Sequence, residues 1–164
     1  MKLLFLPLIM LTALSLPGGA QAAGIPDIDE IPLATATGDI SLKSLRGKVV
    51  YLDFWASWCA PCRKSFPWMN EMHRKYSDAG FVIVAINVDA KPPEAARFLE
   101  KNPADFIVAY DSEGKLASSV GLKAMPSSFV ITPDGNITSR HAGFMEKMIP
   151  EYERSIRRAL GLGM

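Results

Sequence analysis

Cysteine and histidine are scarce in this chain, with two of each in 164 positions. That excludes a fold stapled by several disulfides. A tetrahedral zinc site would need all four of these residues gathered in one place. Neither sign of charge is in excess: 18 Lys and Arg stand against 17 Asp and Glu, a formal net charge of +1. Such a balance carries no electrostatic footprint for nucleic acid or an anionic surface. There is no internal repeat, long charge block or low-complexity tract. The longest apolar run, Leu3 to Leu16, is interrupted by Pro7 and is short of the roughly 20 residues a membrane span needs.

That run has another reading. Lys2 supplies a basic start, Leu3 to Leu16 an apolar centre and Ala20-Gln21-Ala22 a small-residue cleavage site, the organisation of a secretory signal over residues 1–22. An uncleaved anchor is the alternative. No cysteine follows the apolar centre, so the leader offers no thiol for lipid attachment. Cleavage after Ala22 removes 22 of the 164 residues, leaving 142 with no net charge because Lys2 is lost. Residues 23–32 read as a linker and 33–164 as one domain. Without structural disulfides, that domain must stand on its core.

Both cysteines fall in Trp55-Ala56-Ser57-Trp58-Cys59-Ala60-Pro61-Cys62. As a staple the pair would contribute little, about 2 kcal/mol for so short a loop against about 4.7 for a hundred-residue one. As a metal site it lacks neighbours: on a helix starting at Cys59, His73 lies roughly 16 Å beyond Cys62 at 1.5 Å per residue. A reversible dithiol has positive support. The apolar run Lys48 to Ala56 reads as a strand buried on both faces, and Pro61 suits the first turn of a helix. A strand therefore runs straight into a helix N-terminus, where free N–H groups and the helix dipole favour an anion. Cys59 is expected to attack as thiolate and Cys62, one turn deeper, to resolve.

Elsewhere the pattern predicts a hairpin over Leu33 to Leu42, turning at Gly38-Asp39, and a helix from Cys59 to about Ser77 with Pro67 inside it. Strand Phe81–Val88, helix Pro93–Lys101, strand Phe106–Tyr110 and a short helix Lys115–Val120 follow. Ser127–Thr132 and Asn136–Ala142 read as an antiparallel hairpin. A final helix carries Met145, Met148 or Ile149, Tyr152, Ile156 and Leu160 on one face, with Pro150 near its first turn. Strand, helix and strand in succession imply right-handed parallel crossovers. The expected class is α/β, with a mixed central sheet flanked by helices.

With Trp58-Cys59-Ala60-Pro61-Cys62, Pro67, Met125-Pro126 before a strand, Thr132-Pro133-Asp134-Gly135 and Gly143, the chain resembles the thioredoxin-fold thiol-disulfide oxidoreductases of the exported TlpA/ResA type over about residues 25–160. The N-terminal hairpin and the helix-strand insertion between Lys91 and Lys123 resemble that branch rather than plain thioredoxin. The resemblance implies a redox enzyme without a cofactor, located in the periplasm. Pro126 would be a cis-proline facing the dithiol, and the Met125 backbone would pair with a substrate segment. Trp58, Ala60 and Pro61 would border the site, and Trp55 would either border it or belong to the core.

Asp53, six residues before Cys59, matches the buried acid that helps deprotonate the second cysteine in thioredoxin. A carboxylate inside an apolar strand is costly to keep charged, so its pKa is expected to rise. Ser65 stands where ResA-type members often carry a glutamate, and Ala85 where thioredoxin has the lysine that partners the acid.

The implied activity is reduction of protein disulfides, with apocytochrome c cysteines as one candidate substrate and a membrane electron-transfer donor as partner. Ala60-Pro61 lacks the histidine common in strong oxidants. The rivals are a thiol oxidant, a thiol peroxidase, which would want a proline-threonine context before the cysteine, and a copper-handling module.

Overall fold

Strand β2, Val49–Trp55, is buried along its whole length and forms the axis of the sheet. In the computed structural model, which describes residues 28–163, it runs between a parallel neighbour, β3 (Phe81–Asn87), and an antiparallel one, β5 (Ser127–Ile131). The leader and the first residues of the expected linker lie outside the described residues.

The chain also forms β1 (Ala34–Thr35), β4 (Ile107–Tyr110) and β6 (Ile137–Ala142). The sheet order is β1-β4-β3-β2-β5-β6, with β2, β3 and β4 parallel and both flanks antiparallel. This is the mixed α/β sheet of a thioredoxin fold.

Continuous apolar sequence in β2 and β3 is buried because helices cover both faces. On one side lie α1 (Ala60–Tyr76), α2 (Pro92–Lys101) and α4 (Ile149–Ala159). Their residues Phe66, Met69, Met72, Phe98, Tyr152 and Ile156 pack on Tyr51, Trp55 and Ile83. On the other side α3 (Lys115–Ser119) and the N-terminal segment bring Leu116, Leu33 and Leu42 against Leu52, Phe54 and Ile86. Pro67 is tolerated inside α1, which runs unbroken to Tyr76 and closes at Gly80, a left-handed residue with φ 83°.

Three expectations need correction. The hairpin over Leu33 to Leu42 reduces to one bridge, Leu33 to Ile40. Leu33 and Ile40 exchange both backbone hydrogen bonds, at 2.8 and 3.0 Å, and inside that pair Thr35 Oγ1 donates to the Gly38 carbonyl. Ala34 and Thr35 pair instead with Tyr110 and Ala109 of β4, so the N-terminal addition completes the edge of the inserted strand.

The expected linker is packed from Ile28 onward: Ile28 is buried in the core, the Asp29 carboxylate pairs with Arg46, and its carbonyl accepts from Lys43 N–H at 3.1 Å. Met145 does not share the buried face of the last helix. It precedes that helix and is 48% exposed, because the intervening turn over Glu146–Met148 changes the chain direction before Pro150 enters the first turn of α4.

Candidate active site

The site forms where β2 ends and α1 begins. Ala56 accepts a hydrogen bond from Cys59 N–H at 3.1 Å, turning the chain out of the strand. Cys59 is extended (φ −82°, ψ 105°) and is the N-cap of α1, its sulfur accepting from Cys62 N–H at 3.3 Å. Ala60 and Pro61 fill the first turn, where the missing proline N–H costs no helical bond. Cys59 and Cys62 are joined in a disulfide with Cα atoms 5.3 Å apart.

Cys62 is 0% exposed and Cys59 3%, while their neighbours Trp58, Ala60 and Pro61 are exposed, so Cys59 is the slightly more accessible of the two sulfur-bearing residues. The two tryptophans separate: Trp58 is 67% exposed, whereas Trp55 is buried against Phe66 and Phe98 and belongs to the core.

Asp53 lies in the middle of β2, buried, on the face that carries Tyr51, Trp55 and α1. Its strand neighbours are Ala85 of β3 and Ser128 of β5. Oδ2 has no hydrogen-bond partner. With no cation beside it, burial alone pushes the Asp53 carboxyl well above the usual carboxylate range. Tyr51 donates to Ser128 Oγ at 2.7 Å, and its pKa is pushed up by burial first and by the Asp53 charge second. Ser65 is buried too, but its hydroxyl donates back to the Cys62 carbonyl at 3.1 Å.

The Met125–Pro126 bond is cis. Ser127 pairs with Phe54, so Pro126 sits level with the end of β2, from which the chain continues to Cys59. Gly143 N–H donates to the Pro126 carbonyl at 2.7 Å. Among the described residues neither main-chain group of Met125 is hydrogen-bonded, and its side chain is half-buried.

Asp89 is a member of the site that sequence patterning does not single out. Buried just beyond β3, its carboxylate accepts from Ser57 N–H at 3.0 Å, Ser57 Oγ at 3.1 Å and Asn87 Nδ2 at 2.9 Å. It thereby ties down the loop two residues before Cys59. Ser57 Oγ can turn to accept, so an amide could still match these partners, whereas alanine leaves the Ser57 N–H and the Asn87 amide without their acceptor. Asp89→Ala is expected to cost about 1–3 kcal/mol of stability, the penalty for buried polar groups left unmatched. Thermal and denaturant unfolding of the oxidised protein check this. An unchanged midpoint would remove Asp89 from the site's framework.

Among the described residues no three or more of His, Cys, Asp and Glu gather as a metal site. His141 instead faces Ser155 Oγ at 3.3 Å, and burial lowers its pKa.

A family model described as Redoxin matches residues 20–156. The thiol-disulfide oxidoreductase ResA of Bacillus thuringiensis subsp. konkukian is 36% identical over 118 residues, which span 71% of this chain and 68% of that protein. The fold is similar to the crystal structure of a Chlorobium tepidum protein described as a thiol:disulfide interchange protein DsbE. That match has 47% identity and a TM-score of 0.78, covering 80% of this chain and 93% of the other. StoA from Bacillus subtilis matches with a TM-score of 0.64 at 26% identity, over 76% of this chain and 94% of that one.

Proposed function

The chain belongs to the Redoxin family and is a thiol-disulfide oxidoreductase; from that premise we propose that it is an exported dithiol reductase of protein disulfides. The observation that carries the reading is the Cys59–Cys62 pair at the N-terminus of α1, with Asp53 buried and without a charge partner in the adjoining strand. In the reduced protein the Cys59 thiolate attacks a substrate disulfide. One substrate sulfur leaves as thiolate and a mixed disulfide forms. Cys62 then gives up its proton, with Asp53, on the face of the sheet that α1 covers, as its acceptor, and attacks Cys59 Sγ. The second substrate sulfur departs, and both substrate thiolates take up protons. The sum is one enzyme disulfide and one substrate dithiol from an enzyme dithiol and a substrate disulfide.

Met125, with both main-chain groups free, and Pro126 form the ledge on which an extended substrate strand pairs. Trp58, Ala60 and Pro61 form the facing surface. The uncharged Ala60-Pro61 dipeptide gives the reduced thiolate no extra stabilisation, which favours reduction over oxidation. The secretory signal over residues 1–22 sends the protein to the periplasm, where a reductant must be recharged by a membrane electron-transfer donor. The cysteines of apocytochrome c are the substrate to test first.

The deciding measurement is the reduction potential of the pair in graded thiol-disulfide buffers. A reductase is expected to lie near or below the thioredoxin value of about −270 mV, and a value near about −120 mV would make the protein an oxidant.

A further inference from the structure

A cavity of about 290 Å³ opens between the start of α1 and α2. Ser57 and Arg63 form one wall, and Glu94, Arg97, Phe98 and Lys101 of α2 the other. Ser57 is two residues before Cys59 and Arg63 directly follows Cys62, so two of the lining residues flank the reacting pair in the chain, although neither cysteine lines the cavity itself. Arg97 and Lys101 are one helical turn apart and share a face. Arg63 reaches across to the Ser57 carbonyl at 3.4 Å.

None of these three cations takes part in an ion pair among the described residues, whereas Lys64, next to Arg63, is paired with Glu146 at 3.1 Å. Glu94 is the single negative group in the lining, so an excess of positive charge is concentrated in a concavity of a chain that is otherwise balanced. Clefts focus such a field and raise the encounter rate of oppositely charged groups. Buried Phe98 adds an apolar wall. Trp58, next to Cys59 in the chain, is exposed.

We propose that this cavity is a docking site for an acidic segment of the protein partner, two or more Asp or Glu residues flanking the partner's reacting cysteine. The proposal rests on the dithiol reading above and adds what selects the partner. Carboxylates entering between Arg63, Arg97 and Lys101 find the ion partners these side chains lack. The partner's sulfur is then held at Cys59 with its apolar neighbour against Trp58. Arg63 also steadies the Ser57 carbonyl, so the selective part of the device is Arg97 with Lys101.

Three disulfide-closed peptides test this, identical except for two flanking residues that are Glu, Gln or Lys. The reduced mature protein is mixed with each, and its oxidation is followed by tryptophan fluorescence. The Glu peptide is expected to react about 10-fold faster than the Gln peptide at low salt, and the Lys peptide more slowly than either. The ratio should fall toward one at about 0.5 M salt, where screening is complete within a few ångströms. It should also fall toward one in the Arg97→Gln, Lys101→Gln double variant. Equal rates for the three peptides, or a preference that survives the double substitution, overturn the docking site and leave the dithiol chemistry standing. Failure of all three to react overturns that chemistry, and the docking site with it.

Discussion

Cys62→Ser is expected to stop the cycle at its midpoint. Cys59 still attacks, but no second thiol remains to release it, so a covalent adduct with the substrate accumulates in one-to-one ratio. Turnover falls by on the order of 10³-fold or more, the scale of losing one member of a unit that acts together. Cys59→Ser loses both adduct and turnover. The assignment rests on geometry: Cys59 caps α1 under the exposed surface, and Cys62 is fully enclosed one turn in. Non-reducing electrophoresis and intact-mass measurement read the adduct directly. Adduct formation by Cys59→Ser and none by Cys62→Ser would reverse the two roles.

Asp53→Asn is expected to make the protein more stable and slower at once. Burial raises the pKa of this carboxyl in the folded protein, which makes its carboxylate form the better proton acceptor, whereas in the unfolded chain it ionises at an ordinary carboxylate pKa. Between those two pKa values the native state binds more protons than the unfolded state, so stability falls as pH rises through the window. Each pH unit inside it costs ~1.4 kcal/mol. Asparagine does not ionise, so its advantage over Asp53 should be absent below the unfolded-state carboxylate pKa, about 4, and grow as pH rises above it. Urea unfolding at several pH values checks the slope, and a constant difference would show that the charge is not its cause.

The same substitution removes the proton acceptor for Cys62. Resolution of a preformed mixed disulfide should slow by about 10²–10⁴-fold, the usual contribution of a positioned acid or base, with the first attack little affected. Stopped-flow separation of the two steps reads this. If the substitution slowed only the first step, Asp53 would act on Cys59 rather than on Cys62.

Several parts of this molecule were legible in the chain because they depend on local sequence. Lys48 to Ala56 reads as a strand buried on both faces, and Val49–Trp55 within it is one, inside the sheet. Proline at the second helical position and a cysteine before it mark the start of α1. The turn residues of Pro133-Asp134-Gly135 divide β5 from β6 as expected. Asp53 stood out because a carboxylate in such a strand breaks the pattern. The hairpin over Leu33 to Leu42 is shorter than expected, one antiparallel pair, because alternation alone does not choose a strand's partner, and β4 offered a free edge to Ala34 and Thr35.

The sequence by itself determined the dithiol, the strand-to-helix junction that presents it, the family and hence the fold. These are written in adjacent residues, where spacing, proline position and apolar period act over a few residues of chain. Tertiary structure alone decided what surrounds the pair. It brought Asp89 to Ser57 across 32 positions, set Ala85 and Ser128 beside Asp53, and sent Trp55 inward while leaving Trp58 exposed. It also placed Arg97 and Lys101 of α2 next to Arg63. These neighbours meet only when parallel crossovers fold separate segments onto one end of the sheet, and no local periodicity records which residues those crossovers bring together.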